Sequence, residues 1–184
     1  MRILRRNSPW IAALALILLA AACGGGDKEL DLSDYAYPVE KIDEIDDRNH
    51  FPTGQTYDAY TSDPPTSGPH ADTFAPAGVS ELAVAREVAV HNMEHAGVVV
   101  WYNCQAEPAL DADACTTLRN QLSQVVLQEV AGGNEVLMTP YSLMETRIAL
   151  TAWGYLDTFE EFGDARVRDF INTFECNFDP EGFC

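Results

Sequence analysis

Basic side chains are scarce: lysine and arginine number 11 against 29 acidic residues, a formal charge of −18 over 184 residues. A surface of that sign repels phosphate backbones and anionic lipid headgroups. It excludes nucleic acid as a partner and leaves cationic partners, metal ions included, favoured by the long-range field. No C-x-x-C pair occurs, so a thiolate zinc site has no spacing to rest on. Ser67, Ser142 and Thr66 lack the glycine frame of a nucleophile elbow, which argues against a serine hydrolase. No internal repeat is present. Long apolar runs are missing too, apart from one near the start that is shorter than the roughly 20 residues a membrane-spanning helix needs.

That run, Trp10 to Ala22, follows Arg2, Arg5 and Arg6 and ends in three alanines, the layout of a secretory signal over residues 1–22. Cys23 stands directly behind it, followed by Gly24, Gly25 and Gly26. This resembles a bacterial lipoprotein signal, in which the cysteine is lipidated and becomes the new N-terminus. Ala20 occupies the position where that motif usually has leucine, so cleavage to a free soluble protein stays open as the alternative. The expected address is extracytoplasmic, with the membrane reached through a lipid anchor on the bacterial envelope.

Four further cysteines remain, Cys104, Cys115, Cys176 and Cys184. In an oxidising compartment they read as disulfides, and four cysteines allow three connectivities. Sequence proximity favours Cys104 with Cys115 and Cys176 with Cys184, each clamping a loop-like stretch.

From residue 23 to 48 the chain is glycine-rich and then acidic, with Asp43, Glu44, Asp46 and Asp47 nearly contiguous. It reads as a flexible, solvated tether ahead of one globular domain over residues 49–184. The domain opens irregularly, and Pro64-Pro65-Thr66-Ser67-Gly68-Pro69 is expected to present His70 on a stiffened loop. Ser80 to His95 has helical character with Ser80 as N-cap, although Val84, Val88 and Val90 leave a strand open for part of it. Val98 to Tyr102 reads as a buried strand. A helix capped by Asp113 is expected from about Cys115 to Val130, ended by Gly132-Gly133. Strands are expected at Glu135 to Thr139 and Arg147 to Leu156, and a last helix at Asp164 to Phe174. The order β-α-β-β-α predicts an α+β or α/β fold, a short sheet with helices on one side. Trp101, Tyr102, Trp153 and Tyr155 then serve as core or cleft walls.

Histidine is also rare, with four copies, and all fall between residues 50 and 95: His50, His70, His91 and His95. Confinement of the commonest metal ligand to one stretch points to one shared site. On a helix His91 and His95 lie one turn apart on the same face, with Glu94 beside them. Two imidazoles aimed at one ion need further donors, and His70 and then His50 are the candidates, with Glu94 as a ligand, a group holding a ligand ring N–H from behind, or a base. Imidazole suits copper or zinc. Met93 points away from its histidine neighbours and is expected in the core. His91, Glu94 and His95 also match H-x-x-E-H, the inverted-zincin pattern in which the glutamate activates water. A third reading is a buried hydrogen-bonded His/Glu network without metal.

The stretch from His50 through Pro64 to His70, then His91-Asn92-Met93-Glu94-His95 running into Val98-Val99-Val100, resembles the bacterial domain-of-unknown-function family 3105. Its members show PPTSGPH, HNLEHG and LTAWG segments, the last matched by Leu150-Thr151-Ala152-Trp153-Gly154. Met93 replaces the usual leucine and Ala96 the first glycine after the motif, and neither change removes a donor. The resemblance covers most of residues 49–174 and implies fold and location more than activity. Sequence alone thus leads to an extracytoplasmic lipoprotein with a histidine-centred copper or zinc site for delivery, storage or sensing. A metal-dependent hydrolase using Glu94 as base and a non-catalytic envelope interaction module are the alternatives.

Overall fold

A computed structural model describes residues 30–184; the expected signal at 1–22 and Cys23 lie outside them. The described residues form a single small α+β domain. Eight strands are β1 (Glu40–Lys41), β2 (His50–Phe51), β3 (His70–Ala71), β4 (Gly78–Val79), β5 (Val98–Tyr102), β6 (Val136–Pro140), β7 (Ile148–Ala152) and β8 (Tyr155–Phe159). Three helices are α1 (Arg86–Glu94), α2 (Ala112–Gly132) and α3 (Asp164–Phe174). Six strands make one sheet in the order β1-β8-β7-β5-β6-β4, and β2 pairs with β3 in a separate two-stranded ladder.

The central strand shows why this sheet forms. Val98-Val99-Val100-Trp101-Tyr102 is wholly buried, and its β-branched and aromatic side chains alternate between two cores. Val98, Val100 and Tyr102 join Leu118, Leu122 and Val125 of α2 and Val167, Phe170 and Ile171 of α3. Val99 and Trp101 face the other way, onto Ala89, Val90 and Met93 of α1. The two longer helices therefore share one face, as expected from the sequence, while the short α1 covers the opposite one. Phe170 and Ile171 are fully enclosed, each contributing roughly 1.5–3 kcal/mol through burial.

Several local expectations are corrected. Helix α1 starts at Arg86, because Ser80 is held at the sheet edge by its amide bond to the Met138 carbonyl. Asp111, not Asp113, caps α2, accepting a hydrogen bond from the Ala114 amide at 2.8 Å. The single strand expected from Arg147 to Leu156 is a hairpin, β7 turning at Trp153-Gly154 into β8. Gly154 supplies the turn's left-handed residue at φ 75°, and a Cβ there would meet the Glu44 carboxylate at 2.9 Å.

The tether boundary also moves. Residues 30–48 do not hang free: Leu30, Leu32, Tyr35 and Val39 pack on one core and Ile42 on the other. Strand β1 adds to the sheet edge beside β8. The acidic residues between them mask apolar positions that lack regular spacing yet each find a groove. Glu44 is not merely solvated, since its carboxylate accepts the Trp153 indole N–H at 2.8 Å.

Both favoured disulfides are present, Cys104 with Cys115 and Cys176 with Cys184. They mark an oxidising, extracytoplasmic compartment. Among the described residues no helix is long and apolar enough to cross a membrane.

Candidate metal centre

The segment Pro64 to Ala71 is buried throughout, so the loop expected to arm His70 is part of the interior. Three prolines leave it few N–H groups to satisfy, and its carbonyls find donors. The Thr66 carbonyl accepts from the Gly154 amide and the Pro69 carbonyl from the Tyr60 hydroxyl. Ser67 Oγ accepts from the Ile45 amide, bringing Ile45 against Gly68, where φ is 115° and a Cβ would meet Ile45 at 3.0 Å. The loop then enters β3, whose parallel register with β2 sets His50 beside His70. Their rings meet edge to face with centroids 4.4 Å apart.

Helix α1 supplies the rest. His91 Nδ1 lies 2.7 Å from the Ala71 carbonyl of β3, and His70 Nδ1 lies 2.8 Å from the Gly68 carbonyl. A carbonyl only accepts, so both Nδ1 atoms carry the proton and both Nε2 atoms keep a lone pair. Burial pushes the pKa of each ring down, which disfavours the doubly protonated form. Both rings are therefore neutral and oriented to act as ligands.

Glu94 closes the group. Its side chain is 4 % exposed, and Oε2 lies 2.9 Å from His70 Nε2 and 3.3 Å from His50 Nε2. His50 Nε2 and His70 Nε2 are 3.1 Å apart. Glu94 Oε2 is fully buried and receives no hydrogen bond. With the His70 proton committed to Gly68, carboxylate oxygen and ring nitrogen face each other as two acceptors, an arrangement that a proton or a cation between them relieves.

Donor atoms of His50, His70, His91 and Glu94 all lie within 4.8 Å of one another, so these four residues could hold a metal ion. Tetrahedral ligands at about 2.0–2.1 Å from zinc stand about 3.3 Å apart, close to the spacings among His50, His70 and Glu94. Imidazole and carboxylate donors together suit divalent first-row metals.

His95 stands beside this group rather than in it. As the residue ending α1, it places Nε2 at 2.9 Å from His91 Nε2 and 2.9 Å from Glu181 Oε2. The helical spacing does bring His91 and His95 together, while the donor set is completed by Glu94 and His50. An inverted-zincin arrangement needs both helical histidines on the ion and the glutamate held off behind a water; here Glu94 falls inside the grouping of potential ligands and His95 outside it. Met93 is buried in the core, 1 % exposed, and offers no thioether to the site. The other grouping of potential ligands, Glu175 with Cys176 and Cys184, has both sulfurs in a disulfide and so lacks thiolates.

Several contributors carried no sequence signal. The Gly68 and Ala71 carbonyls fix the two ring tautomers. Trp153 walls the site edge to face with His70 at 6.3 Å, and Phe178 stacks on Trp153 at 4.6 Å. Arg48 reaches to 3.8 Å from Glu94 and lies over Phe178. Glu181 belongs to the Cys176–Cys184 loop, and its position inside that clamp was the only hint of it.

A family model described as a protein of unknown function, DUF3105, matches residues 50–182. The chain belongs to the DUF3105 family. That match takes in every donor of the candidate centre as well as His95 and Glu181. Neither a curated protein nor a solved structure matches the chain significantly.

Proposed function

We propose that this DUF3105 protein is an extracytoplasmic lipoprotein, anchored through Cys23, that binds one copper or zinc ion through His50, His70, His91 and Glu94. It serves metal delivery, storage or sensing rather than hydrolysis. One observation carries the reading: two imidazoles with protons locked on backbone carbonyls share a four-residue group with a buried carboxylate oxygen that has no donor and lies 2.9 Å from the lone pair of His70 Nε2. A divalent cation removes that conflict at Oε2, while Arg48 reaches only the other carboxylate oxygen, at 3.8 Å. The ligand set holds no thiolate or thioether, which favours zinc or copper(II) over copper(I). The two disulfides and the acidic surface support an oxidising compartment and cation attraction, and the Ala-Ala-Ala-Cys23-Gly sequence supports the anchor.

Elemental analysis of protein purified from its native envelope tests this reading. Near-stoichiometric copper or zinc is expected, lost in His70→Ala and His91→Ala. A metal-free protein whose stability is unchanged by added copper or zinc would leave the cluster a structural network. Mass spectrometry of the same material checks for a diacylated Cys23 at the N-terminus.

A further inference from the structure

The centre reaches solvent along two edges, and they differ in charge. At one, His50 is 38 % exposed and Arg48, 43 % exposed, sets a guanidinium 3.8 Å from Glu94. At the other, exposure falls stepwise inward, from 42 % at the Glu181 side chain to 12 % at His95 and then to buried His91. Along this second line Glu181 Oε2, His95 Nε2 and His91 Nε2 are spaced 2.9 Å and 2.9 Å apart. A cation approaching along the first edge meets the Arg48 guanidinium. By the second it meets a carboxylate, then an imidazole, then a ligand of the inner site.

The outer pair is held in place rather than left to chance. Asp179 accepts hydrogen bonds from the amides of Gly182, Phe183 and Cys184 at 2.8, 2.8 and 2.9 Å, folding the loop on itself. The Cys176–Cys184 disulfide closes that loop, and the Cys176 amide binds the Ala96 carbonyl just past α1. His95 is gripped between two half-exposed rings, stacked on Phe183 at 4.0 Å and edge to face with Phe74 at 4.5 Å. His95 Nδ1 is buried without a partner, which leaves the ring's proton on Nε2, between Glu181 and His91. For Nε2 to take a cation the ring carries its proton on Nδ1 instead, so capture beside Glu181 is coupled to a shift of the His95 tautomer that also uncovers the His91 lone pair.

We infer that Glu181 and His95 form an outer cation station through which a divalent metal ion enters and leaves the inner His50/His70/His91/Glu94 site. The inference rests on the metal-binding reading above and adds a route and two residues to it. Glu181 collects the ion from solvent, and His95 passes it to His91 Nε2. Because a route lowers the same barrier in both directions, its loss slows uptake and release together and leaves affinity nearly unchanged.

Stopped-flow mixing of the intact, chelator-stripped protein with Co2+, followed by the d–d absorption of the bound ion, separates the cases. Glu181→Gln and His95→Gln are expected to reach the parent's final spectrum and stoichiometry, with association slowed on the order of tenfold, and less at high salt. Arg48→Gln is expected to bind as fast as the parent or faster. Unchanged rates in Glu181→Gln, or an equal slowing in Arg48→Gln, would overturn the route. So would an altered final spectrum in His95→Gln, which would make His95 an inner ligand. A parent protein that takes up neither Co2+ nor Zn2+ would instead bring down the underlying metal-binding reading.

Discussion

His70 and His91 differ from His50 and His95 in what holds their rings. The first two are buried and pinned through Nδ1 to backbone carbonyls, so tautomer and direction are set before any ion arrives. The other two are partly open to solvent, and among the described residues no carbonyl fixes their Nδ1 atoms: His50 lies on a two-residue strand and His95 at the C-cap of a helix, its ring held between Phe74 and Phe183. Four identical side chains thus divide into a pair whose tautomers are set by carbonyls and a pair whose tautomers are free. Preorganised donors lose little freedom on binding, so the pinned pair should dominate affinity, with His50 a weaker further ligand and His95 serving access and exchange.

Truncating either pinned ring is the largest way to break that division. His70→Ala or His91→Ala should lower zinc affinity by more than about 100-fold, beyond the 10–100-fold typical of losing a supporting group. Competition with a chromophoric chelator measures it. His50→Ala should cost less, about tenfold, since its ring is half-exposed and unpinned. An equal loss at His50 and His70 would erase the distinction.

A smaller effect concerns pH. Burial holds the pinned rings below the usual histidine pKa, so the unfolded chain binds protons that the native state refuses. The metal-free protein should therefore be most stable above about pH 6.5 and lose stability as pH falls through that value toward the depressed native pKa values. Urea midpoints at pH 7.5 and 5.5 show this, and the fall should be shallower in His70→Ala than in His50→Ala.

The split between pinned and unpinned rings was not legible in the sequence, although its parts were. The i to i+4 spacing of His91 and His95 correctly predicts contact between them, and the β-branched run at Val98 and the amphipathic stretch at Asp164 predict a strand and a helix with the observed bounds. Those are local properties. Whether His95 or His50 joins the grouping of potential ligands depends on the β2–β3 register and on the Ala71 carbonyl reaching His91, contacts that close across 20 residues. The hairpin at Trp153-Gly154 escaped because it lacks the Asn-Gly or Asp-Gly pair that usually announces one. The packing of residues 30–48 escaped because its apolar residues follow neither strand nor helix period.

Glu94 is where the inner site's stability and its function oppose each other, and Glu94→Gln tests that directly. The amide keeps the shape and can donate to His70 Nε2, ending the face-off of two acceptors. In chelator, Glu94→Gln should melt higher than the parent, by about 1–3 kcal/mol of stability. With saturating zinc the order should reverse, because the parent gains about 4 kcal/mol at a thousandfold excess over Kd and the variant much less. Thermal unfolding of both proteins under both conditions gives the answer. Crossed stabilities are the predicted result; a parent at least as stable as Glu94→Gln in chelator, with no gain from zinc, would contradict a metal centre built around Glu94.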